Sequence, residues 1–241
     1  MNDLNANTFF NGRLHVAQPD SGYRYSIDAV LLASLPRPKS GDSVIDLGTG
    51  CGIIAMILAY RHPGVRFYAV EIQSELVRFA RENVRSNHMA DRISVIQTDM
   101  RHLSADQVGG TANWIVSNPP YRRANSGRIN PDTQKALARH EINLDLSQLV
   151  KTSGRLLRAG GRFCTIYPAE RTIDLVLAMR DGGIEPKWMQ CIHSRWPEQG
   201  KLVLVEGVNR GNPGLTVAAP LVVYDAGGNY TKDVQRLMAP N

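Results

Sequence analysis

The chain of 241 residues has little that would staple or anchor it. Its three cysteines, Cys51, Cys164 and Cys191, lie far apart with no CxxC pair, which disfavours both a disulfide framework and a structural zinc site. The histidines show no HxxxH or other ligand spacing, so no metal is assigned. No apolar run approaches the roughly 18 residues that span a bilayer, and the N-terminal MNDLNANTFFNGRLH lacks the continuous apolar stretch of an export signal. These absences are read as a cytoplasmic protein with reduced thiols and no membrane association. Internal repeats and low-complexity tracts are also missing, and the glycine, proline and aromatic contents are ordinary, which excludes fibrous and disordered classes. Nothing in the sequence points to an obligate protein partner.

What is present is a hydrophobic content of 43% in a chain long enough for one large α/β domain, residues 1–241. "SVIDLGTG", "RFYAVEI", "ISVIQTD", "WIVSN" and "RFCTIYP" read as strands separated by helical patterns, among them one at about 145–158 ended by Gly160-Gly161 and one over 171–181. "KWMQCIHS" and "LVLVEGV" follow with only a turn-rich link between them. The predicted architecture is a doubly wound, mostly parallel, Rossmann-like sheet of seven strands with an antiparallel edge.

Asp46-Leu47-Gly48-Thr49-Gly50-Cys51-Gly52 joins the first of these strands to its helix. Glycines there allow close backbone approach to a ligand, and the helix start presents free N–H groups. The spacing is GxGxG, with Ile53 in place of the third glycine of a dinucleotide site. An acid heads the loop and would repel a pyrophosphate but attract an ammonium or sulfonium group. That chemistry points to S-adenosylmethionine (AdoMet), a cationic cofactor without phosphate. Glu71 closes the next strand about 20 residues on, where a carboxylate accepts ribose hydroxyls. Asp99 closes the third and suits an adenine amino group, with Ile72 and Met100 sandwiching the ring. Cys51 is read as a small apolar filler rather than a nucleophile, because the cofactor takes the space beside it.

"IVSNPPY" ends the fourth strand on Asn118-Pro119-Pro120-Tyr121. Two prolines remove N–H donors and leave carbonyl oxygens and the Asn118 amide oxygen as acceptors, a pocket suited to an NH2 group. Hydrogen bonds to Asn118 Oδ1 and the Pro119 carbonyl would aim the lone pair of a conjugated amine at a methyl group, so that catalysis is orientation and electrostatic fit. Tyr121 offers a face on which an extruded base stacks. Arg122, Arg123, Arg128, Lys135 and Arg139 follow as a basic insertion over 122–141, and with the net charge of +6 they suit phosphates.

On these residues the chain resembles class I AdoMet-dependent methyltransferases, with DLGTGCG as the first motif and NPPY as the fourth. More narrowly, "GYRYSIDAVLLA", "DLGTGCGIIAMILA", "VSNPPY", "ARHEI" and "PLVVYDAGGNYT" are similar to the bacterial tRNA adenine-N6 methyltransferases, which modify the adenosine next to the anticodon of a valine tRNA. The resemblance implies that residues 1–40 cap the cofactor, with Tyr25, Ser26 and Asp28 closing over it, and that tRNA is the partner. Arg122 departs from the pattern, which often has an aromatic residue after NPPY. Protein glutamine-N5, rRNA guanine-N2 and DNA adenine-N6 methylation use the same NH2 geometry and stay open, as does a non-catalytic AdoMet-sensing RNA-binding module. A nicotinamide-dependent dehydrogenase fails on the glycine spacing, and cytosine-C5 methylation fails for want of a cysteine near Asn118.

Overall fold

The computed structural model describes residues 8–10, 12–18, 26–119 and 146–239. In chain order the strands are β1 Thr8–Phe9, β2 Leu14–His15, β3 Ser43–Leu47, β4 Arg66–Glu71, β5 Ile93–Gln97, β6 Ala112–Ser117, β7 Leu157–Pro168, β8 Ile184–His193, β9 Gly200–Asn209, β10 Thr216–Val217 and β11 Leu221–Val222. The helices are α1 Ile27–Leu32, α2 Ile53–Arg61, α3 Ser74–Ser86, α4 Leu146–Leu156, α5 Thr172–Asp181 and α6 Lys232–Met238.

Strands β5, β4, β3, β6 and β7 lie side by side and parallel. The inner strands β4, β3 and β6 are buried along most of their length because helices cover both faces. Helices α1, α2 and α6 share one core with Val44, Phe67 and Val116, while α4 and α5 share the other with Ile45, Ile115 and Phe163. Helix α2 is buried from Ile53 to Ala59 and apolar all round, whereas α3 buries Leu76, Val77, Ala80 and Val84 along one stripe. The expected hairpin stands at the far edge, and its antiparallel member is the inner strand: β9 runs antiparallel to both β7 and β8. The two-residue strands β10 and β11 pair with β8 and extend the sheet to nine strands among the described residues.

The chain order reverses at β3, which has β4 on one side and β6 on the other. Open α/β sheets bind ligands at the carboxyl ends of the strands at such a switch point. The glycine loop leaves β3 there, and Asn118 leaves β6 beside it.

Helix α4 ends at Leu156 and the chain enters β7 at once, so Gly160-Gly161 lies inside the strand instead of stopping a helix. The register skips from Ala112↔Leu157 to Trp114↔Arg162, and Gly160 at φ +73° carries the bulge. The stop comes from the end of β9, where buried Asn209 donates through Nδ2 to the carbonyls of Gly154 (3.2 Å), Leu157 (2.9 Å) and Arg158 (3.2 Å). Replacing Asn209 by alanine strands these acceptors and is expected to lower stability by about 1–3 kcal/mol, read as an earlier midpoint in urea unfolding followed by circular dichroism.

Candidate functional site

The carboxyl ends of β3, β4 and β5 form a staircase, because Asp46 pairs in register with Ala69 and Glu71 with Gln97. Each strand places its acid slightly past the last: Asp46, then Glu71, then Asp99. The glycine loop folds against this edge. Gly48 takes φ +76° and Gly52 φ +89°, values that L side chains rarely adopt, and the Gly48 and Thr49 amides donate to the Val70 carbonyl. Gly52 stands at the N-cap of α2 with no side chain to satisfy the first amides.

Asp46 and Glu71 are both buried. The Thr49 hydroxyl donates to Asp46 Oδ2 at 2.6 Å, while Asp46 Oδ1 has no hydrogen-bond partner among the described residues. Burial pushes the Asp46 carboxyl up to about 7; the Thr49 hydroxyl and the Ala55 backbone pull it down, and the Glu71 charge adds to the rise. The Ala55 amide therefore weighs on the carboxylate without closing a hydrogen bond to Oδ1. Glu71 Oε2 accepts from Gly50 N at 3.0 Å, and Oε1 from Ile72 N and Gln73 N at 2.9 Å each. Burial raises the Glu71 carboxyl too, and these amides oppose it. Of the roughly four acceptor positions on a carboxylate, three are used, so about one is left for a ligand hydroxyl.

Asp99 is different, because it caps a short 3-10 turn and its carboxylate is gripped by Arg101. Arg101 donates through its amide to Oδ1 (2.9 Å), through Nε to both oxygens and through Nη2 to Oδ2. That grip holds the Asp99 carboxyl below its ordinary range. An adenine amino group would share Asp99 with Arg101. Beside it, Ile72 is 43% exposed for an apolar side chain, while Met100 is 6% exposed and packed with Val70 and Leu103 in the core. Cys51 is buried and its thiol is pushed up to about 12, chiefly by burial, which makes it a poor nucleophile.

Two hydroxyls tie Asn118 to this edge. The Ser117 hydroxyl donates to the Leu47 carbonyl at 2.7 Å, and the Thr165 hydroxyl donates to the Ser117 carbonyl at 2.9 Å. The peptide that leads into Asn118 is thus fixed between β3 and β7, with Pro119 buried after it. A second pair of polar side chains, Asn83 on α3 and Asn87 at its C-cap, holds the N-terminal segment. Asn83 donates to the Ala17 carbonyl (2.8 Å) and the Cys51 carbonyl (2.9 Å) and accepts from the Ala17 amide (2.7 Å). One turn on, Asn87 exchanges both bonds with the backbone of His15. The chain entering the segment before α1 is therefore clipped to the glycine loop.

Asp28 sits in the first turn of α1, where Ser26 Oγ accepts from its amide at 3.3 Å. Tyr25, Pro120, Tyr121, Arg122, Arg123, Arg128, Lys135 and Arg139 lie outside the described residues. Thr49, Asn83, Arg101, Ser117 and Thr165 were not singled out from sequence. Their partners are mostly backbone atoms of other elements, and only the Thr-x-Gly spacing of the loop carries a local signal.

The donor set fits a cationic ligand: two buried carboxylates close together, one with an unpartnered oxygen, while the Arg101 guanidinium at this edge is taken up by Asp99. Fold and edge together define a class I methyltransferase, and its cofactor is AdoMet. The chain belongs to the methyltransferase small domain family, which matches residues 26–179. It is similar to the tRNA1(Val) (adenine(37)-N6)-methyltransferase of Tolumonas auensis, at 32% identity over 75% of this chain and 74% of that one. The protein of that description from Porphyromonas gingivalis W83 is 33% identical over 93% of this chain and 91% of its own. Among solved structures, a predicted O-methyltransferase of Agrobacterium tumefaciens shares the fold at 22% identity, with TM-score 0.69 over 89% of this chain and 98% of that one. A geranyl diphosphate methyltransferase in complex with SAM aligns at TM-score 0.52 and 16% identity over 74% and 82% of the two chains.

The raised Asp46 carboxyl has a consequence for the fold without ligand. Between its ordinary value of 3.8 and about 7, the folded chain holds a proton at Asp46 that the unfolded chain has lost, so stability falls as pH rises through that window. Asp46→Asn is expected to remove this cost and to melt several degrees above the unaltered protein near pH 8 without ligand, at about 2–4 °C per kcal/mol. The two should converge near pH 4, and differential scanning fluorimetry across pH reads both.

Proposed function

We propose that the chain transfers the methyl group of AdoMet to the exocyclic N6 amino group of an adenosine in tRNA. The observation that carries this reading is the corner at which Asn118-Pro119 leaves β6 beside the glycine loop, braced by the hydroxyls of Ser117 and Thr165. The names of the similar tRNA1(Val) methyltransferases support the choice of substrate, and a tRNA substrate implies a cytoplasmic protein.

In this reading Asp46, Gly48, Gly50, Gly52, Glu71, Ile72, Asp99 and Met100 hold AdoMet, with Tyr25 and Asp28 closing over it and Asn118 at the methyl end. Bound AdoMet supplies an electrophilic methyl group on a sulfonium centre. Asp46 meets the cofactor's positive charge, Glu71 takes a ribose hydroxyl at its remaining acceptor position, and Asp99 takes the adenine amino group in company with Arg101. Asn118 Oδ1 and the Pro119 carbonyl accept the two hydrogens of the target amine and orient its lone pair. No strong base is needed, because the nitrogen would become acidic as the new N–C bond formed and the methyl–sulfur bond broke to leave a neutral thioether, and its proton would then pass by way of the acceptor already bonded to it to water. Pro120 removes one more donor from the corner, Tyr121 stacks on the extruded base, and the arginines and lysine of the 122–141 insertion take flanking phosphates.

Asn118→Ala is expected to lower kcat by about 10²–10³-fold while the AdoMet Kd, measured by calorimetry, changes little. Thr165→Val, which frees the Asn118 corner without touching it, should lower kcat by about 10- to 100-fold. Near-normal turnover in Asn118→Ala would sink the mechanism. The substrate is tested by incubating the protein with labelled AdoMet and separately with bulk tRNA, rRNA, DNA and a protein extract from cells lacking its gene. The expected result is N6-methyladenosine in the tRNA digest alone. Label on rRNA guanine, DNA adenine or a protein glutamine overturns the substrate, and no transfer anywhere favours the AdoMet-sensing module.

A further inference from the structure

Beyond the cofactor edge, the same rim carries an exposed aromatic and cationic turn that nothing above uses. Strand β8 runs in the same direction as β6, and Ser117, Thr165, Val205 and Met189 lie in one row across β6, β7, β9 and β8. From that row β8 continues to His193, about 13 Å farther at 3.3 Å per residue, and stands three strand spacings, about 14 Å, to the side of Asn118. The turn that follows stands on the same rim, on the order of 20 Å from the Asn118 corner, a gap that a few nucleotides of an extended strand bridge.

This turn is built rather than loose. The Glu198 carbonyl can only accept, so His193 Nδ1 donates to it at 2.7 Å. Glu198 N closes on the Arg195 carbonyl at 3.0 Å. The C-terminal tail braces the other side: Val223 N bonds the His193 carbonyl, Tyr224 N bonds that of Ser194, and Tyr224 stacks on Tyr230 at 5.2 Å. On this support Trp196 is 69% exposed, although Trp114 is buried and Trp188 half-buried. Its ring tilts by 50° against His193. Arg195 is exposed, lies over the Tyr224 ring at 5.9 Å and has no carboxylate partner among the described residues. Of the nearby acids, Asp225 has one oxygen engaged by the Gly227 and Asn229 amides, and Glu198 is exposed.

We infer that Trp196 and Arg195 form a second RNA contact, in which an unpaired base flanking the target adenosine stacks on Trp196 and its phosphate meets Arg195. The inference rests on the RNA reading above. An exposed indole on a hydrogen-bonded turn, next in sequence to a guanidinium with no carboxylate partner among the described residues, is the combination that holds single-stranded nucleic acid, on a protein whose net charge is +6.

The test compares Trp196→Ala, Trp196→Phe and Arg195→Gln with the unaltered protein in steady-state methyl transfer to tRNA, at several salt concentrations, with sedimentation in parallel. The expected result is a KM for tRNA raised about tenfold in Trp196→Ala, equivalent to about 1.4 kcal/mol, with kcat and AdoMet binding unchanged and most of the loss restored in Trp196→Phe. Arg195→Gln should lessen the salt slope of tRNA binding by about one. An unchanged KM in Trp196→Ala, while the unaltered protein methylates tRNA, overturns the stacking contact alone. So does a shift in oligomeric state in place of KM, which would make the turn a protein interface. If the unaltered protein transfers no methyl group to any RNA, the substrate reading fails and takes this contact with it.

Discussion

The structure depends most on keeping two carboxylates, Asp46 and Glu71, buried side by side at the end of a parallel sheet. Removing an ion from water is costly unless hydrogen bonds or an opposite charge compensate. Glu71 is compensated from within by three backbone amides, all supplied by its own strand end and the glycine loop. Among the described residues Asp46 has the Thr49 hydroxyl on one oxygen, with the Ala55 backbone acting more weakly and no hydrogen bond on the other oxygen. The difference divides the labour. Glu71 ties the loop to the end of β4 through the Gly50 amide whether or not a ligand is present, whereas Asp46 holds an unspent acceptor that a cation would satisfy.

Around this pair the site is held by short polar links between segments distant in sequence. Ser117 and Thr165 join β3, β6 and β7 through carbonyls at the strand ends, so the Asn118 peptide cannot shift without breaking the sheet's own bonds. Asn83 and Asn87 act on the other side as a one-edge imitation of a β-ladder, presenting amide groups to the backbone of residues 15 and 17. Asn83 also reaches the Cys51 carbonyl, so one side chain couples the glycine loop, α3 and the N-terminal segment. Each link is an ordinary hydrogen bond worth about 1 kcal/mol net. Their value lies in geometry, since a displacement of about 1 Å is enough to cost a reaction heavily.

The parts of the candidate site legible in the sequence are those written locally. The acid before GxGxG, the acids at the ends of two later strands and the Asn-Pro pair stand at strand termini, and alternation of strands and helices places such termini on one rim before any contact is known. Asn83 was not legible because it reads as one polar residue on a helix that also shows Leu76, Val77, Ala80 and Val84, and its partners lie 32 and 66 positions away. Thr165 looks like any β-branched strand residue. Arg101, two positions past Asp99, was closer at hand, but a surface cation beside an acid is too common to single out. The end of α4 differs from the sequence expectation for a related reason: glycines are the local signal for a helix stop, yet Asn209, about fifty residues on, satisfies the last carbonyls and lets the chain enter β7 early. The antiparallel strand was foreseen from the missing helix between β8 and β9, but the choice of inner or edge position rests on which neighbour buries Val203 and Val205, and that is a tertiary matter.

The signs of charge are also partitioned by depth. The acids at the ends of β3, β4 and β5 are short-range groups: two are buried, and the third is locked to Arg101. Interactions in such places are little screened by salt. The excess positive charge, by contrast, must act from the surface, because among the described residues no basic side chain is fully buried. Surface charge acts over about 8–10 Å and weakens steeply with salt, as counterion release requires for a polyanion. In the proposed site, capture of the small cofactor and capture of the large substrate therefore rest on different physics. A change of ionic strength separates them: AdoMet affinity should stay nearly flat while substrate KM climbs, and a protein whose two constants moved together would have its surface charge at the cofactor instead.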